Sequence, residues 1–335
     1  MPTAAVCIPT YNQAQYLELA VASALSQSYP ICEVWIANDA SDDATKDVLM
    51  RLSARDSRVK WFSNPERLGI GMNVDTVLRK PKTDFVVRLD SDDRLSECYI
   101  EEMIRLFEKY PEAGIFHCNT REVDQDGIQV RLRWRAGSDH FQPAEAVLKE
   151  APFRFGITAN ICGFRRSMLE ELDFTRGRPD YLEDYDLWVR AAAAGYGNVF
   201  SSKVLADYRV WIDAKGTRVK RKRTELEGLI RLFDEILVPV YRDRGWPVEM
   251  VTKGRRKHAM RQVSYLAEVK LADGESRDIG LLLKKLSDDS PIINALTAMG
   301  RSRFRGILLL LKTVRVGLWR AKIFARQMLG SPSRG

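Results

Sequence analysis

The 335-residue chain has no CxxC pair, only three histidines, no unbroken apolar stretch long enough to cross a bilayer, and no acidic residue after Asp289. Its five cysteines, Cys7, Cys32, Cys98, Cys118 and Cys162, are scattered. That spacing argues against a zinc cluster or disulfide framework and for reduced thiols in a cytoplasmic setting. The histidines, His117, His140 and His258, stand far apart and read as surface or satisfied residues. The N-terminus has no basic segment followed by an apolar core, so we expect neither a signal peptide nor an anchor. The longest apolar run of the last predicted helix, Ile307 to Leu311, falls far below the roughly 18 residues a spanning helix needs. The net charge of +8 is concentrated at the end: residues 290–335 hold nine Arg or Lys and no acid, leaving the preceding chain near neutral.

A 45% hydrophobic content supports an ordinary core, and the first half of the chain alternates strand and helix patterns. Apolar strands are expected at Ala4 to Ile8, Cys32 to Ala37, Val59 to Phe62 and from Phe85, with helical periodicity between them. Such βαβ alternation implies a mostly parallel sheet whose ligands gather at the carboxyl ends of the strands. Three of those ends carry Thr10 and Asn12, then Asp39, then Asp90 and Asp92. The stretch from Phe85 to Asp93 is the most informative. Apolar residues run straight into three carboxylates within four positions, an arrangement eased by a hard divalent cation bridged to phosphates. The same cluster would also suit a solvated loop, or a helix cap through Asp93. Further on, Glu183, Asp184 and Asp186 open an amphipathic helix, where carboxylates also complement the helix dipole.

With these pieces in place, the chain resembles glycosyltransferase family 2, inverting enzymes of the GT-A fold that use nucleotide diphosphate sugars. The similarity rests on Val6 to Asn12 with Tyr16 and Leu17, on Ser23, Leu25, Gln27 and Ser28, and on Asn38 to Asp43. It continues through Leu89 to Asp93, Glu183 to Arg190, and Tyr208 to Val210. The resemblance implies an α/β GT-A domain over residues 1–214, followed by a helical basic region over 215–335. It implies that Pro9, Thr10, Tyr11, Asp39 and Arg67 serve the nucleotide. Asp90, Ser91 and Asp92 match the DxD motif, with Asp90 beside the ribose and metal, Asp92 on the metal, and Mn²⁺ or Mg²⁺ as the ion. Asp184 matches the catalytic base, while Trp188 and Arg190 brace its helix. Trp211 stands where relatives often carry a metal-holding His.

The implied partners are a nucleotide-sugar donor, with a UDP-sugar expected, and a saccharide or lipid-linked saccharide acceptor, with no nucleic acid. The basic run from Lys215 to Arg223 reads as a linker, with Lys215 and Arg218 as candidate phosphate contacts. The apolar stripe among the arginines of residues 301–330 suits either a peripheral contact with an anionic membrane at the inner face of the cell, or packing on the helical region or a second copy. A nucleotidyltransferase would need a glycine-rich basic loop where Pro9 to Asn12 stands. A nucleic-acid binder would need more than a basic tail.

Overall fold

The structure, a computed structural model, describes residues 1–154, 156–157, 161–179, 181–211, 217–263 and 273–300, with 302, 306 and 310. The predicted alternation appears as β1 (Ala4–Thr10), α1 (Ala14–Leu25), β2 (Glu33–Asn38), α2 (Thr45–Arg55), β3 (Val59–Ser63), α3 (Ile70–Leu78) and β4 (Phe85–Arg88). These four strands pair in parallel in the order β3-β2-β1-β4. All seven residues of β1 are buried because both faces of the strand are covered, as expected for the middle of a parallel sheet. Alternation assigns its side chains to opposite layers. Val6 and Ile8 pack with Leu17, Val21 and Leu49, whereas Cys7 packs with Val74, Val77 and Val86.

Beyond β4 the order no longer follows the chain. Next come β5 (Arg94–Leu95), α4 (Tyr99–Lys109), β6 (Ala113–Val123), β7 (Gln129–Arg133), β8 (His140–Gln142), α5 (Ala144–Glu150), β9 (Cys162–Arg165), α6 (Arg166–Glu171), α7 (Glu183–Ala193) and β10 (Gly197–Arg209). β9 inserts between β4 and β6, antiparallel to both, and β10 runs parallel to β6. β6 and β7 form the hairpin expected at Asp124 to Gly127, with Gly127 at φ 83°. Asp93 does not cap a helix, contrary to one reading of the sequence. It precedes β5, which β10 pairs antiparallel, and its Oδ1 accepts from the Arg209 backbone N–H at 2.7 Å; α4 starts only at Tyr99.

Helices follow: α8 (Thr217–Arg231), a π-helical stretch (Leu232–Leu237), α9 (Val238–Asp243), α10 (Glu249–Val263), α11 (Asp273–Leu286) and α12 (Pro291–Gly300). Leu226, Leu229, Phe233, Val251 and Leu283 share one continuous apolar cluster with Leu187 and Val189 of α7. The contact is close. A Cβ on Gly254 of α10 would collide with the Pro152 carbonyl oxygen, so the helix approaches the 151–154 turn only because residue 254 has no side chain. Lys215, the Arg218 side chain and all of the predicted last helix but Gly306 and Leu310 lie outside the described residues.

Candidate active site

The carboxyl ends of β2, β1 and β4 and the first turn of α7 open onto one cleft of about 520 Å³. Pro9, Thr10, Tyr11, Asp39, Arg67, Asp90, Ser91, Asp92 and Asp184 all line it. Strand order sets their sequence along the cleft: Asp39 follows β2, Thr10 and Tyr11 end β1, and Asp90 to Asp92 follow β4.

At the β2 end, Asp39 is buried and well supplied with donors. Its Oδ1 accepts from Asn64 Nδ2 at 2.9 Å and from the Leu68 N–H at 2.8 Å, and its Oδ2 from the Gly69 N–H at 2.9 Å. Those bonds hold the 64–69 loop that carries Arg67, whose guanidinium stacks 4.0 Å over the Tyr11 ring. The other acids of that stretch do different work. Asp42 and Asn12 bond each other, with Asn12 Nδ2 donating to Asp42 Oδ1 at 2.6 Å, and Asp43 accepts from the Ala14 and Thr45 backbones. They latch the β1 and β2 loops together.

In the middle, Arg88 is the last residue of β4 and is buried. Its Nε donates to Asp90 Oδ1 at 3.2 Å, and its Nη1 lies 3.6 Å from Glu183 Oε1. Burial opposes its charge, but Asp90, Glu183 and Asp184 together hold it firmly protonated. One guanidinium therefore joins the strand-end carboxylates to the start of α7. Asp92 Oδ2 accepts from the Trp211 indole N–H at 2.6 Å, and Trp211 stands edge-on to Tyr16 at 5.4 Å. Burial, and then the charge of Asp90, raises the Asp92 carboxyl above its ordinary range.

At α7, Asp184 Oδ1 accepts from the Tyr185 N–H at 2.7 Å. Burial, then the neighbouring Glu183 charge, pushes its pKa up to about 7, with Arg88 pulling the other way. Asp186, one step further on, is saturated by Arg190 Nε at 2.5 Å and Arg231 Nη1 at 2.6 Å. Arg190 also donates to the Leu172 and Phe174 carbonyls at 2.6 and 2.8 Å, so it fixes the helix, and Trp188 is buried beside it. Gly71 allows the 173–178 loop to press on α3, because a Cβ there would meet the Arg178 carbonyl oxygen.

Sequence reasoning missed Arg88, Tyr208, Arg209, Tyr181 and Arg221, all of which line the cleft. Arg88 did leave a signal, a charge inside an apolar strand that demands partners. Arg221 reaches the cleft from α8, its guanidinium 4.6 Å over the Tyr181 ring, with Tyr181 held at φ 55°. His117 and His258 are both buried away from the cleft.

The donor set suits a magnesium-type ion. Asp90 and Asp92 offer hard carboxylate oxygens whose mutual repulsion a cation relieves, and each keeps an oxygen free of the Arg88 or Trp211 bond. Among the described residues no three His, Cys, Asp or Glu side chains gather as ligands. Such ions commonly take one or two carboxylates and complete their shell with water and substrate phosphates.

Polar groups thus gather at the strand ends of the sheet, and the cleft carboxylates Asp90, Asp92, Glu183 and Asp184 divide between the end of β4 and α7. The family model of glycosyl transferase family 2 matches residues 5–173, and the chain belongs to that family. Chondroitin synthase of Pasteurella multocida is 33% identical over 130 residues, 39% of this chain and 13% of that protein. The chain spans less than two thirds of the length of the curated relatives it matches. A crystal structure of S. aureus TarS 1-349 in complex with UDP-GlcNAc superposes with a TM-score of 0.64 at 14% identity, covering 94% of this chain and 92% of that one. The mannosyltransferase PcManGT from Pyrobaculum calidifontis, in complex with GDP-Man and Mn²⁺, gives 0.57 at 18% identity over 98% and 84%. The fold is the GT-A glycosyltransferase fold, with helices following it.

Proposed function

We propose that this chain is an inverting, metal-dependent enzyme that moves one sugar from a nucleoside diphosphate sugar, of the UDP class, to a hydroxyl of a saccharide or glycolipid acceptor. It would serve the assembly of cell-surface polysaccharide or glycoconjugate, a role in keeping with its similarity to a chondroitin synthase. Residues 1–214 form the transferase domain and 215–335 the helical basic region. The observation that carries the reading is the division of carboxylates in one cleft: a β4-end pair held by Arg88 and Trp211, and a separate α7 carboxylate with a pKa near 7.

Pro9, Thr10, Tyr11 and Asp39 accept the nucleotide, with Arg67 stacked on Tyr11 and facing it. Asp90 and Asp92, with Ser91 between them, hold Mn²⁺ or Mg²⁺, which when bound supplies Lewis-acid stabilisation of the departing diphosphate. Asp184 takes the proton of the attacking hydroxyl. The acceptor oxygen bonds to the anomeric carbon from the side opposite the phosphate, the carbon–oxygen bond to the diphosphate breaks with its electron pair, and the configuration inverts. A pKa near 7 places the Asp184 carboxyl where it accepts a proton readily at neutral pH. TarS in complex with UDP-GlcNAc and PcManGT in complex with GDP-Man and Mn²⁺ support a nucleoside diphosphate sugar donor and the ion. The sequence pattern of residues 301–330 supports a peripheral contact with the inner face of the membrane.

The test is a panel of nucleotide sugars assayed for diphosphate release with Mn²⁺, Mg²⁺ or excess EDTA, followed by assignment of the product anomer. Turnover of one donor, its loss in EDTA and an inverted anomer are expected. EDTA-resistant turnover would remove the metal from the reading, and a retained anomer would remove single displacement.

A further inference from the structure

We propose that Arg221, seated on Tyr181, selects an acceptor that carries an anionic group, a carboxylate or a phosphate, beside its reacting hydroxyl. Four arginines line the cleft, and two of them are committed to the chain itself. Arg88 serves Asp90 and Glu183, and Arg209 donates to the carbonyls of Asp92, Asp124 and Gln125. Arg67 stacks on Tyr11 in the loop that Asp39 holds, at the end read as the nucleotide's. Arg221 remains. Among the described residues its guanidinium meets no hydrogen-bond or ion-pair partner. The next two bases of α8 are engaged elsewhere, Lys222 with Glu225 at 2.6 Å and Arg223 with Glu227 and Asp278, both at 3.1 Å.

The seat of this cation fits it for recognition. Stacking 4.6 Å over the Tyr181 ring uses none of the five N–H donors, and a planar guanidinium meets a carboxylate or phosphate with two of them at once. Tyr181 is held at φ 55°, left-handed backbone that bulky residues rarely adopt, so its surroundings and not its own preference aim the ring into the cleft. It stands three residues before Asp184, which lines the same cleft and is the group proposed to take the proton of the attacking hydroxyl. Arg221 therefore belongs with the acceptor at α7, while the departing diphosphate belongs with Asp90 and Asp92 at the end of β4. The acids at this end leave room for an incoming anion. Glu225 meets Lys222, Glu183 lies 3.6 Å from the Arg88 guanidinium, and the Asp184 carboxyl, pushed up to about 7, carries only part of its charge at neutral pH.

The inference rests on the transferase reading above, and diphosphate release by the wild type without any acceptor tests that reading separately. For the inference itself, the full chain is prepared with isotope-labelled arginine, and the spectrum of Arg221→Gln identifies the Arg221 Nε–H resonance. Glucuronate and a glucose phosphate, each titrated with UDP and Mg²⁺ present, should move that resonance, and glucose should not. In transfer assays, glucuronides and sugar phosphates should be preferred to their neutral counterparts. Arg221→Gln should lower that preference by about tenfold or more through the acceptor KM, the effect expected of a lost charge-assisted hydrogen bond. Arg221→Lys should keep part of the preference, and Tyr181→Ala, which removes the seat, should lose part of it. A resonance that ignores both anions would overturn the proposal, as would an unchanged preference in Arg221→Gln. So would a resonance that UDP and Mg²⁺ alone move as far, which would give Arg221 to the donor diphosphate.

Discussion

Asp184 and Asp186 lie two residues apart on one helix, and their surroundings differ in kind. Asp186 is buried between two guanidinia that satisfy both of its oxygens. Asp184 meets the Tyr185 backbone N–H, a neighbouring acid and a more distant arginine, and its pKa rises to about 7. The same contrast separates the whole cleft from the body of the protein. Glu122 is clamped by Arg131 and Arg133, and Glu102 is held down to about 2, chiefly by Arg105 and then Lys203 and Ser201. In the cleft, Asp92 is pushed up instead. The scaffold gives an acid one or two bases of its own, whereas in the cleft Asp90, Glu183 and Asp184 share the single guanidinium of Arg88.

The sharpest way to break that contrast is to exchange the two aspartates for asparagine. Asp184→Asn should reduce transfer by roughly 10²–10⁴-fold, the usual worth of a general base, while donor affinity and unfolding midpoint stay near wild type. Single-turnover transfer and donor titration measure it; normal transfer by this variant alongside a dead Glu183→Gln would assign the base to Glu183. Asp186→Asn should do the reverse, costing about 3–5 kcal/mol because a buried and a largely buried guanidinium lose their counter-charge. Urea unfolding reads that loss, and an unchanged midpoint would abolish the distinction. A third test needs no variant. A carboxyl raised to about 7 is protonated below that pH, so wild-type transfer should fall about tenfold per unit below it and level off above it. An acid limb at the ordinary carboxylate pKa would place the titrating group elsewhere. The smallest effect is expected at Trp211, where Trp211→His replaces an indole donor with a ligand. Mn²⁺ should bind about tenfold more tightly by calorimetry, within the range that ligand-shell changes produce. Unchanged affinity would mean that position 211 faces away from the ion.

The parts of the fold written locally were legible in the sequence. Apolar runs ending in Thr10, Asp39 and Asp90 announced the parallel strands and the cleft, and the Asp124 to Gly127 turn announced its hairpin. Long-range pairing was not legible. Nothing near Cys162 reveals that β9 enters antiparallel between β4 and β6, and nothing near Asp93 reveals that β10 returns to hold it. Trp211 illustrates the limit well: its substitution for His was visible, but its bond to Asp92 joins residues 119 positions apart. Arg221, which lines the cleft from α8, was not singled out in the sequence for a similar reason. A basic run looks uniform, and only packing selects Arg221 from it.

The three bonds that Asp39 accepts have a thermodynamic consequence for any nucleotide that enters. They join parts of the chain to one another, so the 64–69 loop owes its shape to folding rather than to complex formation. Ordering a residue's backbone typically costs about 1–2 kcal/mol, and a loop already ordered avoids that loss at each encounter. Association should then show little entropic penalty from the protein, and a variant at Asp39 should weaken nucleotide affinity mainly through binding entropy, even where the carboxylate itself never touches the base.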